Sequence, residues 1–105
     1  MNMHNPPHPG EFIKETYLVP FNISQNEIAD KLGVARSTFS RLIKGDSGIS
    51  PEMALRLSKV IGRSPESWIA MQANYDLYKT KQSKTGILKQ LRKYNFNHKA
   101  DLHFA

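Results

Sequence analysis

Between Gln25 and Leu42 the chain holds two short helix-forming stretches joined by a tight turn at Gly33-Val34. Apolar or small side chains at Ile28, Ala29, Leu32, Val34, Phe39 and Leu42 fall where two crossing helices need an inner face. The small Ala29 lets the two approach closely. Ser24 and Glu27 form a capping box at the start of the first stretch. Gly33 stands where a helix ends in the left-handed conformation that glycine adopts cheaply. So short a connection leaves two readings. One is a helix-turn-helix, whose second helix enters a DNA major groove; the other is an ordinary helical hairpin in an all-α domain.

The rest of the chain is punctuated into helices as well. The first starts at Pro9, with Glu11 near its positive end; Phe12, Ile13, Thr16 and Tyr17 give it an apolar face, and Pro20 stops it. The helix after the Gly33 turn runs from about Arg36 to Lys44, with Phe39, Leu42 and Ile43 inward and Gly45 as its stop. Ser50-Pro51-Glu52 opens the next, lined by Met53, Ala54, Leu57, Val60 and Ile61. Ser64-Pro65-Glu66 repeats that opening, and the fifth helix continues through Trp68 and Tyr75 to about Lys79. Strand signals are nearly absent, and no internal repeat or low-complexity tract appears. The expected organisation is a flexible segment over residues 1–8, an all-α domain over 9–79 with the paired-helix motif at about 24–44, and a tail over 80–105.

Composition then excludes several classes of function. A chain of 105 residues makes one domain, too small for a large enclosed catalytic cavity. The absence of cysteine rules out disulfides, thiolate zinc sites and a thiol nucleophile. No apolar run is long enough to span a bilayer, and Met1 to His8, broken by Asn5, Pro6 and Pro7, does not read as a signal peptide. A soluble, cytoplasmic protein is expected. His4, His8, His98 and His103 form no readable metal-ligand cluster and are expected at the surface. Ser37, Ser40 and Ser47 lack a His and an acid in a triad context. The expectation is therefore no enzyme, no metal and no cofactor.

Fifteen Lys and Arg against nine Asp and Glu give a formal charge of +6, which suggests nucleic acid only weakly. Its placement says more. At 100° per residue, Arg36, Ser37, Ser40, Arg41 and Lys44 share one face of their helix, opposite Phe39 and Leu42. Every one is a hydrogen-bond donor and none is acidic, which suits phosphates and base edges. Arg36 and Ser37, at the helix start, are the candidates for base readout, and Arg36 has the geometry to grip guanine. Arg41 and Lys44 are candidates for phosphate, as is Gln25 at the N-terminus of the preceding helix. Residues 1–78 hold eight basic and eight acidic side chains, whereas residues from Lys79 onward hold seven basic ones and only Asp101.

Two apolar patterns need partners. In the fifth helix Trp68, Met71, Tyr75 and Tyr78 make one stripe, and Ile69, Ala73 and Leu77 another on nearly the opposite side. The first suits the core, with Trp68 as its anchor. The second suits a dimer partner, or a cover supplied by the C-terminal segment. In the tail, Ile87, Leu88, Leu91 and Tyr94, set among Lys89, Arg92 and Lys93, predict a basic amphipathic helix over about Thr85 to Tyr94. It has three possible roles: packing back, extending phosphate contacts, or meeting a partner.

Three stretches, PPHPGEFIKETYL, ISQNEIADKLGVARSTFSRLIKG and ISPEMALRLSKVIGRSPESWIAMQANYDL, resemble the HigA/VapI-type antitoxins of the phage-repressor-like (XRE) helix-turn-helix class. The likeness covers about residues 6–77. It implies a five-helix, lambda-repressor-like domain that homodimerises on palindromic double-stranded DNA and represses its own operon. It also implies neutralisation of a co-encoded HigB-type RNA-cleaving toxin, without catalysis by the antitoxin. By position it assigns DNA contacts to Gln25, Arg36, Ser37, Thr38, Arg41 and Lys44. Ala35 departs from the pattern by offering no cap to its helix, a loss of about 0.5–2 kcal/mol. The tail carries no family signature. A free-standing regulator without a toxin is the alternative; a neighbouring reading frame for a basic RNase-like protein would separate the two.

Overall fold

The computed structural model describes residues 5–97, and these are helical without a strand. The chain enters through α1, Pro9–Ile13, which runs on as a π-helical turn, Lys14–Leu18. It continues through α2, Gln25–Leu32; α3, Arg36–Lys44; α4, Pro51–Val60; α5, Pro65–Ser83; and α6, Thr85–Lys89. Local chemistry sets the boundaries. Ser24, Ser50 and Ser64 accept hydrogen bonds from the backbone N–H groups of Glu27, Met53 and Ser67, each at 3.0–3.1 Å. Of the expected capping box only this Ser24 half forms, since the Glu27 carboxylate does not return the bond. Gly33 and Gly45 end α2 and α3 at φ 73° and 86°, as their positions in the sequence require.

One core joins the first five helices. Trp68, Phe39, Ile13, Leu42 and Leu57 are its largest fully buried side chains, with Ala29, Leu32 and Ala54 among them. The Trp68 indole N–H donates to the Gly62 carbonyl at 2.8 Å, so its one polar atom is satisfied inside. Arg63, at φ 65°, stacks its guanidinium over both Phe12 and Trp68. Gly10 lies so close to the backbone of Leu42 and Ile43 that a Cβ there would collide with the Leu42 carbonyl. This contact docks α1 on the end of α3.

The structure corrects further expectations. In the first helix the π turn lengthens the loop of each hydrogen bond to five residues, as in Val19 N–H to Lys14 C=O. Leu18 therefore comes round to the core beside Ile13, and Thr16 is exposed. Val60, expected in the core, is exposed. His8 is not an ordinary surface histidine: its Nδ1 accepts from the Gly10 N–H at 2.9 Å, capping α1, and its ring meets Tyr75 edge-on. His4, His98 and His103 lie outside the described residues. Finally, α5 runs four residues past Lys79, while the tail helix stops at Lys89 instead of Tyr94. The tail helix has no side-chain cap, a glycine in its first turn and no body to pack against, and short unsupported helices are marginal.

Candidate nucleic-acid interface

The paired helices are fixed from outside the pair. Gly33 and Val34 turn their N–H groups back to the Asp30 and Ala29 carbonyls, closing α2. From α4, Arg56 donates through Nη1 to the Leu32 carbonyl at 2.8 Å and more weakly to that of Gly33, while Glu52 holds its Nε and Nη2. A cation thus sits at the carbonyl end of α2, where the helix dipole favours it. This clamp ties the turn between α2 and α3 to the next helix. The start of α3 has no side-chain cap, since Ala35 is extended and its side chain accepts nothing.

On α3, burial separates the two faces as the sequence pattern requires. Phe39, Leu42 and Ile43 face the core. Ser37, Arg41 and Lys44 stand exposed at the centre of the outer face, with Ser40 half-buried at one edge. Thr38 occupies the other edge, half-buried, and lines a small pocket of about 190 Å³ with Val34, Ser50 and Arg56. Gln25, at the N-terminus of α2, is half-buried and shares a surface groove with Lys14. Ile69, Ala73 and Leu77 are exposed on α5.

Arg36 is not a free cation. Its Nε and Nη2 donate to Oδ1 and Oδ2 of Asp30, at 3.1 and 2.7 Å, bridging α3 to α2. The bidentate bond holds the Asp30 carboxyl below its ordinary range and raises Arg36 in return. Both side chains are more than half exposed, so the pair orients the guanidinium without locking it. Sequence reasoning missed Asp30 because it looked along α3 alone, and the acid arrives from across the turn, six positions upstream. The Glu52–Arg56 spacing was readable as an intrahelical ion pair. That Arg56 also reaches two carbonyls of α2 was not.

An exposed, acid-free face on the second helix of a paired-helix motif is the arrangement of a helix-turn-helix DNA-binding domain. The helix-turn-helix family model matches residues 13–68, more than half of the chain. The chain is 41% identical over 93 residues to the uncharacterized HTH-type transcriptional regulator YddM of Escherichia coli (strain K12), covering 89% of this chain and 96% of that protein. It is 36% identical over 72 residues to antitoxin HigA-1 of Vibrio cholerae, covering 69% and 68% respectively. Among solved structures, antitoxin GraA in complex with its operator superposes with a TM-score of 0.80 at 31% identity, covering 90% of this chain and 97% of that one. The chain belongs to the phage-repressor-like (XRE) helix-turn-helix family, with the HigA and VapI proteins. It is a helix-turn-helix DNA-binding protein of antitoxin-like fold, and its relatives are named as HTH-type transcriptional regulators, virulence-associated proteins and an antitoxin. No helix among the described residues is long and apolar enough to cross a membrane.

Proposed function

We propose that the protein is the antitoxin of a toxin–antitoxin pair: a homodimer that binds a palindromic operator of its own operon and sequesters a HigB-type RNA-cleaving toxin. The observation that carries the DNA part is the sorting of α3. Ser37, Arg41 and Lys44 are exposed with no acid among them, and Arg36 is held at the entry of the helix. Arg36 and Ser37 read base edges. Arg41 and Lys44, with Gln25 on α2, meet phosphates, and Thr38 and Ser40 border the contact. GraA's operator complex and HigA-1's designation support operator binding and the antitoxin role.

A two-fold operator calls for a two-fold protein with recognition helices about 34 Å apart. The exposed Ile69, Ala73 and Leu77 stripe supports an α5-mediated dimer, because the core already covers the opposite stripe and the tail of the same chain does not cover this one. Replacing Leu77 with Arg then gives monomers in sedimentation; a persistent dimer removes the assignment. The toxin partnership is tested by co-expressing the chain with the product of the adjacent gene. A stable complex and relief of growth arrest are expected. No complex, or no such gene, leaves a free-standing regulator.

A further inference from the structure

Two of the uncovered apolar surfaces lie at opposite ends of α5. The first is a groove of about 420 Å³ between the starts of α4 and α5, lined mainly by Pro51, Leu55, Pro65 and Ile69, with Glu66 on its rim. The second is the strip on the tail formed by Ile87, Leu88 and Leu91, each about half exposed or more. They do not meet within the chain. The tail leaves the body at the far end of a 19-residue helix, and the molecule measures 65 × 29 × 25 Å.

The register of α5 brings them together between chains. Its outward stripe is symmetric about Ala73, with Ile69 four residues before and Leu77 four residues after. Antiparallel packing of two copies about that point sets Ile69 of one against Leu77 of the other, with the small Ala73 side chains meeting at the two-fold axis. In that register Ser83, the last residue of α5, lies beside Arg63 of the second copy, where that copy's α5 is about to begin. Lys84, at φ −112°, interrupts the helix between Ser83 and Thr85, at the level where α5 of the second copy would begin. Charge agrees with shape. Among the described residues Glu66 makes no ion pair, and the arriving segment brings Lys84, Lys89 and Arg92, which make none either.

We infer that the segment from Lys84 onward is an exchanged arm, seating Ile87, Leu88 and Leu91 in the α4/α5 groove of a second copy of this chain. The inference rests on the α5-mediated dimer proposed above and adds an occupant for the groove and a role for the tail. It assigns the tail's apolar residues to assembly and places its positive charge against Glu66. The arm buries apolar surface twice per dimer, so it contributes to assembly beyond the α5 stripe.

The chain has no cysteine, which makes the test direct. Leu88→Cys and Leu55→Cys chains are mixed, treated with a short bismaleimide, and the linked peptides are identified by mass spectrometry. The arm predicts a covalent pair joining one chain of each kind. A chain carrying both substitutions, linked at high dilution, should not close on itself. In parallel, Leu88→Asp should raise the dimer dissociation constant about tenfold or more with helicity unchanged. A dimer by sedimentation that gives no 55–88 link overturns the arm and leaves the dimer standing; monomers overturn both. Self-linking within one chain overturns the exchange. So does a truncation after Ser83 that leaves dimer affinity intact but lowers the salt slope of DNA binding, which gives the tail to phosphates.

Discussion

Residues 9–78 and residues 79–97 use their side chains in opposite ways. The first region is formally neutral, closes one core, and gives three of its eight cations defined partners. Arg56 closes a helix end, Arg63 stacks on two rings, and Arg36 is aimed by Asp30. The second region carries the positive excess of the whole chain and buries none of its residues. On the function proposed above, the lesson is that net charge misplaces the DNA contact. The proposed recognition face carries charge of one sign on a helix whose other side is held in the core. The larger charge in the tail has no such order.

The comparison can be broken first at the level of stability. Trp68→Ala should cost about 3–5 kcal/mol, read as a large fall in the midpoint of denaturant unfolding. Gly10→Ala should follow at about 1–3 kcal/mol, because the added methyl drives α1 off the Leu42 carbonyl. Leu88→Ala, in a monomeric Leu77→Arg background, should lie within about 0.5 kcal/mol of its parent. A tail substitution as costly as the Trp68 one would show that the two regions form one cooperative unit.

A second set of variants sharpens the division inside the recognition face. Arg36→Ala should cost about 1–3 kcal/mol of operator affinity and relax preference at one base position, whereas Lys44→Ala should weaken operator and random DNA alike. Equal losses on both DNAs for both variants would reject the assignment of base readout to the helix start. The smallest expected effect concerns Asp30. Its carboxyl is lowered in the folded state, so the pair with Arg36 contributes fully above the ordinary carboxylate range and is lost as pH falls through the lowered value. Asp30→Asn should therefore lower neutral-pH stability slightly and flatten part of the acid limb, so that variant and parent converge at low pH. An identical acid limb in the variant would show that the pair does not persist in solution.

Much of this architecture was legible in the sequence because its signals are local. Serine caps, Pro at first helical positions and Gly33 and Gly45 at helix ends act within a few residues, and they placed α2, α3 and α4 closely. The two faces of α5 followed from periodicity in the same way. What escaped depends on contacts between elements. The π turn that brings Leu18 inward, the close approach of Gly10 to Leu42, and the reach of Arg56 into α2 have no signature along the chain. Overextension of the tail helix had the converse cause. Its apolar spacing is helical, but periodicity says which face is apolar and not whether anything is there to cover it.

The central claim is that the outer face of α3, carried on a homodimer, reads a specific palindromic operator. Its most direct measurement is the affinity of the full chain for DNA from the promoter of its own operon, against a scrambled duplex, at physiological salt. The account predicts binding of two chains per palindrome at least about 10³-fold tighter than to the scramble, with most of that preference lost in Arg36→Ala. Equal affinity for the two duplexes, or a preference that survives Arg36→Ala and Ser37→Ala together, would contradict it.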